Sequence, residues 1–220
     1  MKRVLIILLC LVASMEFSYS QSIKSNTMKQ VTEFKVNIPQ SELDDLKARL
    51  KNTRWPGEAQ GSDWSYGTSE AYMKNLVNYW LTSYDWRKQE AALNKYPQYI
   101  ADVDGIKIHF QYIKGSGKNS KPLILTHGWP DSYYRFHKII PLLTTGEQTF
   151  DLVIPSIPGF GFSEKKSLTT EVVADLWKKL MTENLGYSKF YAAGGDVGMG
   201  VTKALASKFP MLLQAFTSRI

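Results

Sequence analysis

The chain has 220 residues, a formal net charge of +7, 44% hydrophobic residues and 13% aromatic residues. This apolar content is sufficient for a packed core and argues against a disordered chain. The basic residues are scattered in runs of no more than two, and no nucleic-acid-binding motif accompanies them. A basic but otherwise ordinary surface is therefore expected, rather than a groove for nucleic acid.

The first twenty residues have the pattern of a secretory signal peptide. A basic pair at residues 2–3 precedes ten apolar residues, 4–13, and Ser-Tyr-Ser at 18–20 fits a cleavage site. Ten apolar residues are fewer than the ~20 that a membrane span needs, so cleavage after Ser20 is favoured over a membrane anchor. We expect export to a periplasm or to the medium, with no membrane span afterwards. Cys10, the only cysteine, lies in this segment, so disulfides and thiolate metal sites are not expected.

The next region, residues 30–115, is expected to form an N-terminal domain with three helices. The alternation of Phe34, Val36 and Ile38 predicts a short strand or extended arm that Pro39 ends. Helices are predicted at 41–52, 69–83 and 86–95. The first is expected to open with a capping box of Ser41 and Asp44, and the third with Asp85 as its cap. The second is expected to bury Tyr72, Leu76, Tyr79 and Trp80.

From residue 99 the hydrophobic period changes to two, and Asp104-Gly105 indicates a hairpin between strands at 99–103 and 106–112. Continuous apolar strands then alternate with helices, which predicts a doubly wound α/β sheet over 118–220. The expected strands are 123–125, 151–154, 190–193 and 212–217. The expected helices are 134–143, 170–184 and 197–208, and a Gly/Pro loop covers 155–163.

The segment Gly194-Gly195-Asp196-Val197-Gly198 has glycine two residues before and two residues after a central polar residue. Between a strand and a helix, this spacing is typical of the nucleophile elbow of α/β-hydrolases, where close packing requires glycine. The central residue is aspartate, and a carboxylate can displace at an sp³ carbon to form an alkyl ester without a base. Epoxides and alkyl halides suit that chemistry. An aspartate that only caps a helix is the structural alternative.

A second motif, His127-Gly128-Trp129-Pro130, follows the apolar strand that ends at Thr126. A loop in this position supplies one amide of the oxyanion hole in α/β-hydrolases, so the backbone N–H groups of Trp129 and Val197 are the expected donors. His127 is expected to brace the loop by a hydrogen bond rather than to transfer a proton. No motif indicates a cofactor or a metal.

Several further motifs occur in order between residues 31 and 217. They are Trp55-Pro56, Asp63-Trp64-Ser65-Tyr66-Gly67, Tyr79-Trp80, Asp85-Trp86-Arg87-Lys88-Gln89-Glu90, Leu93-Asn94, Asp104-Gly105, Ile108-His109-Phe110 and Pro155-Ser156-Ile157-Pro158-Gly159-Phe160-Gly161-Phe162-Ser163. With the two motifs above, they make the chain resemble the microsomal-type epoxide hydrolases, which include the juvenile hormone epoxide hydrolases. The resemblance implies an α/β-hydrolase core, a wrapping N-terminal segment, a small apolar epoxide as substrate and Asp196 as the nucleophile. It also implies a cis peptide at Trp129–Pro130.

The chain departs from that family in three ways. Ala193 and Val197 stand where the family commonly has Gln and Trp, which affects the expected pocket shape. The family also uses an acid, a histidine base and lid tyrosines, in part after the nucleophile. After Asp196 this chain has no Asp, Glu, His or Tyr, since His109, His127 and His137 all precede it. The sequence therefore indicates a truncated member that does not turn over epoxides.

Two alternatives remain at this point. A haloalkane dehalogenase also uses an aspartate, although Val197 and the N-terminal domain argue against it. The chain could instead be a non-catalytic remnant, or a half that needs a separate chain to supply its histidine.

Overall fold

The computed structural model describes residues 30–59, 61 and 63–219. The predicted signal peptide, its cleavage site and Cys10 lie outside these residues. Within them, no helix combines the length and the apolar character that crossing a bilayer requires.

The described residues form two compact units, one made of residues 35–95 and the other of residues 30–34 with 96–219. The first is called the helical unit and the second the sheet unit. The domain boundary near residue 115 that the sequence suggested stays a prediction.

The helical unit begins with an extended arm that polar side chains of its third helix hold in place. Asn94 is paired with the backbone of Val36, accepting from its N–H at 2.9 Å and donating to its carbonyl at 2.8 Å. The Ile38 N–H donates to Glu90 Oε1 at 2.7 Å. These side chains take the place of a neighbouring strand, so residues 35–38 form an arm and not part of a sheet. The helices are α1 Gln40–Lys51, α2 Glu70–Thr82 and α3 Trp86–Leu93, with a 3₁₀ turn at Asp63–Tyr66.

The caps of these helices agree with the sequence in part. Ser69 accepts a hydrogen bond from the Tyr72 amide at the start of α2, and Asp85 accepts one from the Lys88 amide at the start of α3. The capping box expected at Ser41 is wrong. Helix α1 starts one residue earlier, after Pro39, and no side chain caps it, because the Pro39 carbonyl accepts the first turn's amide from Glu42 instead.

The expected burial of α2 is also wrong. Its apolar stripe remains 42–54% exposed, at Tyr72, Leu76, Tyr79 and Trp80. None of the described side chains of α1, α2 or α3 is classed as buried. A 3.6-residue apolar period marks the face that could be covered, but the few short helices of this unit leave that face of α2 open.

In the sheet unit, the described residues form seven strands in one sheet with the order β1-β2-β3-β5-β4-β6-β7. The pairs β1–β2, β2–β3 and β3–β5 are antiparallel, and the remaining neighbours are parallel. The strands are β1 Val31–Phe34, β2 Gln98–Val103, β3 Ile106–Ile113, β4 Lys121–Thr126, β5 Phe150–Pro155, β6 Phe190–Gly195 and β7 Leu213–Arg219. Its parallel part is the α/β sheet that the alternating pattern predicted.

The parallel strands read as continuous apolar runs because both of their faces are covered. Ile124, Val153 and Phe190 are completely or almost completely buried on β4, β5 and β6, and Trp177 and Leu205 join the same core from two helices. Those helices are α5 Thr170–Lys179 and α6 Val197–Lys208.

The prediction of one helix at 134–143 is wrong. The chain forms a 3₁₀ turn, Tyr133–Phe136, and then a short helix α4, Ile140–Thr144. Pro141 cannot donate a backbone hydrogen bond, so it is tolerated in the first turn of a helix but not in its interior. The preceding residues bond three positions apart, as in the His137 amide to the Tyr134 carbonyl. The helix predicted at 170–184 exists, but its last turn, Leu180–Asn184, is a π-helix.

Candidate active site

The chain order places the two candidate site motifs after neighbouring strands. The chain passes from β4 outward to β5 and then crosses to β6 on the other side of β4. The loops that follow β4 and β6 therefore lead away from each other at the carboxyl ends of these two strands. In open α/β sheets, ligands bind in the crevice at this position. Thr126, the last residue of β4, pairs with Gly194 near the end of β6. This register brings the 127–130 loop beside Asp196.

Asp196 occupies a strained turn between β6 and α6, with φ 55° and ψ −125°. An L-residue rarely adopts a positive φ, and the cost is accepted here because the turn projects the side chain out of the sheet. The Asp196 carboxylate is exposed and no side chain caps α6. The hydrogen bond of an N-cap, which comes from the second or third amide of the helix, is not formed by this aspartate, so the structure does not support the helix-cap alternative.

Close packing in and around the elbow requires three glycines. A Cβ at Gly198 would lie 2.2 Å from the Thr126 carbonyl oxygen, and a Cβ at Gly128 would lie 2.6 Å from the Asp196 side chain. A Cβ at Gly194 would lie 2.4 Å from the Gly198 carbonyl oxygen. Gly195, the last residue of β6, pairs with Arg219 of β7. The spacing that indicated an elbow thus reflects contacts that a side chain would block.

The expected oxyanion amides point at the carboxylate. The Trp129 N–H donates to Asp196 Oδ1 at 2.8 Å, and the peptide Trp129–Pro130 is cis. Hydrogen bonds from the Trp129 amide and then the Val197 amide hold the pKa of Asp196 below its usual 3.8, with a smaller contribution from the Arg135 charge. Asp196 is therefore ionised at neutral pH, as a nucleophile must be. Trp129 itself is 67% exposed.

His127 lies under the loop and is fully buried. Its Nε2 accepts from the Ile157 N–H at 3.1 Å, and its Nδ1 lies 2.9 Å from the Gly128 carbonyl oxygen. An amide can only donate and a carbonyl can only accept, so the ring is neutral with its proton on Nδ1. Burial lowers the pKa of His127, which agrees with that neutral form. This geometry suits bracing and leaves neither ring nitrogen free for proton transfer.

Two contacts near the site were not predicted from the sequence. Arg135 forms an ion pair with Asp131 at 2.8 Å, at the rim of the loop. The Trp177 indole donates to Thr126 Oγ1 at 3.1 Å, inside the core, and so fixes the end of β4. A threonine that ends an apolar strand was the only hint of the second contact. In the described part of the chain, no group of three or more His, Cys, Asp or Glu side chains is placed to hold a metal ion.

Two family models match the chain. Residues 31–136 match the epoxide hydrolase N terminus, and residues 121–219 match the alpha/beta hydrolase fold. Over 190 residues the chain is 46% identical to a protein of Stigmatella aurantiaca provisionally named an epoxide hydrolase, covering 82% of this chain and 43% of that protein. It is 38% identical over 196 residues to epoxide hydrolase 1 of Sus scrofa, covering 83% of this chain and 43% of that protein.

The solved structures agree with the sequence relatives. The crystal structure of juvenile hormone epoxide hydrolase from the silkworm Bombyx mori superposes with a TM-score of 0.78 at 30% identity, over 90% of this chain and 55% of that one. The chain spans 43% of the length of each of the two curated relatives above, the Stigmatella aurantiaca and Sus scrofa proteins. With an epoxide hydrolase N terminus followed by an α/β-hydrolase sheet, the chain belongs to the epoxide hydrolase family.

Proposed function

We propose that this chain carries the nucleophilic half of epoxide hydrolysis, with Asp196 as the attacking residue. The observation that carries the proposal is the 2.8 Å hydrogen bond from the Trp129 N–H to Asp196 Oδ1. Because the Trp129 N–H holds Oδ1, we assign the attack to Oδ2. It forms a C–O bond to an epoxide carbon while the ring C–O bond breaks, and the released alkoxide takes a proton from solvent water where no acidic side chain supplies one.

The second half of the reaction is hydrolysis of that ester. Water adds to the Asp196 Cγ, the negative charge develops on Oδ1, and the Trp129 and Val197 amides stabilise it there. Loss of the diol then regenerates the carboxylate. This step needs a general base, which typically contributes ~10²–10⁴-fold.

The histidines of this chain are poorly suited to that role. His109 and His127 are fully buried and hydrogen-bonded through both ring nitrogens. His137 stacks on Tyr134 with ring centroids 4.1 Å apart, and its Nδ1 lies 2.8 Å from the Tyr134 carbonyl oxygen. We therefore expect these 220 residues to form the ester and not to release it. A longer polypeptide or a second chain that supplies an acid and a histidine would complete the cycle.

The names of the relatives favour an epoxide over an alkyl halide as the electrophile. Trp129 is a large exposed aromatic residue whose backbone N–H bonds to the carboxylate, which supports a small apolar substrate. A non-catalytic remnant remains the alternative, and it differs from this proposal in one result: a remnant forms no ester on Asp196.

The experiment is to incubate the purified chain with styrene oxide and to follow both protein mass and free diol. We expect one covalent adduct per chain and no repeated turnover. Asp196→Asn should abolish the adduct. Asp104→Asn is the matched control, because Asp104 is an exposed aspartate that also has a positive φ, 60°. An adduct that survives in Asp196→Asn, or multiple turnovers of diol from this chain, would overturn the proposal.

Export is a separate proposal, which rests on the basic pair, the ten apolar residues and the Ser-Tyr-Ser site of the first twenty residues. Mass spectrometry of exported protein should find a new N-terminus between about residues 19 and 23. An intact Met1 in a membrane fraction would contradict it.

A further inference from the structure

The hydrogen bonds behind the oxyanion loop share one direction. The His109 N–H donates to Ser163 Oγ at 2.9 Å, and the Ser163 hydroxyl donates to the Ser156 carbonyl at 2.7 Å. That carbonyl belongs to the same peptide group as the Ile157 N–H, which donates to His127 Nε2 at 3.1 Å. All of these groups are buried. Ser163 is 7% exposed, and Ser156, His109 and His127 are 0% exposed.

The same direction continues to the nucleophile. His127 Nδ1–H donates to the Gly128 carbonyl at 2.9 Å, and that carbonyl shares its peptide group with the Trp129 N–H. The Trp129 N–H donates in turn to Asp196 Oδ1 at 2.8 Å. From Ser163 onward, every donor in this series of hydrogen bonds therefore points towards the negative charge of the Asp196 carboxylate.

We propose that Ser163 is a positioning residue for the nucleophile, because its hydroxyl begins a one-way relay of hydrogen bonds that passes through His127 and strengthens the Trp129 N–H donor to Asp196. A peptide group whose carbonyl accepts a hydrogen bond becomes a better N–H donor, and hydrogen bonds in such chains strengthen one another. The relay crosses two peptide groups and one imidazole. The importance of this relay for catalysis rests on the proposed function of Asp196, but its geometry does not.

The relay explains why the ring of His127 must stay neutral. Protonated Nε2 would face the Ile157 N–H, so the ring would lose its acceptor and the relay would break at its centre. Burial, which lowers the pKa of His127, protects that neutral state.

A neighbouring serine provides a matched control. Ser156 Oγ is also buried in the same loop, but it bonds to His109 Nδ1 at 2.9 Å and not to any group of the relay. Ser156→Ala removes this side-chain contact and leaves the Ser156 carbonyl in place. Ser163→Ala removes the first hydroxyl donor of the relay. Both variants lose one buried hydroxyl of the same loop, so a merely structural role gives no reason for a shift at Asp196 in one variant and not in the other.

The test measures the pKa of Asp196 in the full chain by ¹³Cγ NMR, together with the proton shift of the Trp129 amide at pH 7. Ser163→Ala should raise the Asp196 pKa by about 0.2–0.5 units, because a weaker donor stabilises the ionised carboxylate less. It should also move the Trp129 amide proton upfield. Ser156→Ala should leave both values unchanged while also lowering the melting temperature.

Equal shifts in the two variants, or no shift in Ser163→Ala, would overturn the relay. The amide proton reports at neutral pH, so the comparison stands even where a variant unfolds in acid. These readouts need no epoxide. An unreactive Asp196 with a shifted pKa in Ser163→Ala would refute the proposed function and keep the relay. An Asp196 that forms the adduct but whose pKa does not move would do the reverse.

Discussion

The two units of this molecule use their apolar residues differently. In the sheet unit, strands and helices enclose a core in which Trp177, Phe110 and Phe190 have no exposed surface. In the helical unit, the apolar stripe of α2 is about half exposed, and none of the described side chains in its three helices is classed as buried. The candidate active site belongs to the first kind of environment: its amides, glycines and histidine are fixed by close backbone contacts.

The difference shows what each sequence pattern can establish. A strand covered on both faces needs apolar residues along its whole length, so the pattern and the burial agree. An amphipathic helix shows only which face could be covered. A substitution of the same type should therefore cost more in the sheet unit than in the helical unit.

The largest expected contrast is between two glycines. Gly198→Ala places a Cβ 2.2 Å from the Thr126 carbonyl oxygen, so β4 and α6 must separate. We expect a loss of about 3 kcal/mol or more in the free energy of unfolding. Gly57→Ala in the helical unit meets nothing within 4 Å and should cost only about 1–2 kcal/mol for its φ of 81°. Urea unfolding of both variants measures the contrast, and equal losses would contradict it.

The second expected contrast is in how the stability of the two units depends on pH below neutrality. Burial lowers the pKa of His109 from 6.5 to about 3, and the helical unit contains no histidine. The unfolded chain then binds more protons than the folded chain between these pH values. The stability that neutral His109 provides is therefore present above pH 6.5 and is lost as the pH falls towards 3, at up to ~1.4 kcal/mol per pH unit.

His109→Gln should reduce that acid dependence, although the variant is less stable at neutral pH. Urea unfolding measured from pH 7 to pH 4 tests this. An unchanged slope in the variant would show that His109 is not the group that titrates.

The smallest contrast compares two tryptophans. Trp177→Phe removes the hydrogen bond to the buried Thr126 hydroxyl and should cost about 1–3 kcal/mol. Trp80→Phe changes a side chain that is 42% exposed in the helical unit, and should cost no more than about 0.5 kcal/mol. Thermal melting of the two variants gives the comparison. A larger loss for Trp80→Phe would mean that the open face of α2 is covered in solution.

Much of the sheet unit could be predicted from the sequence because its signals are local. The elbow around Asp196 needs glycine at fixed spacing, and the register of β4 with β6 then brings the 127–130 loop to it. The relay that ends on Asp196 could not be predicted. It joins Ser163, Ile157 and His127 across 36 residues of sequence, and no periodicity encodes which hydroxyl meets which carbonyl.

The helical unit was harder to predict for a physical reason. Asn94 and Glu90 bond to the backbone of the arm at residues 36–38, and such side-chain partners leave no repeating pattern in the sequence. The α2 stripe was predicted to be buried, and that prediction was wrong because a helical period identifies an apolar face without showing what covers it. The 3₁₀ turn before Pro141 shows the same limit, because a helical period does not specify where the backbone bonding changes.

The central claim is that a carboxylate oxygen of Asp196 attacks the epoxide and forms a covalent ester. The most direct measurement is a peptide map of the chain after treatment with styrene oxide, with hydroxylamine release to identify an ester. We expect a single modified residue, Asp196, whose modification hydroxylamine removes. A modification spread over several exposed carboxylates, or one confined to a histidine or lysine, would contradict the assignment of the nucleophile.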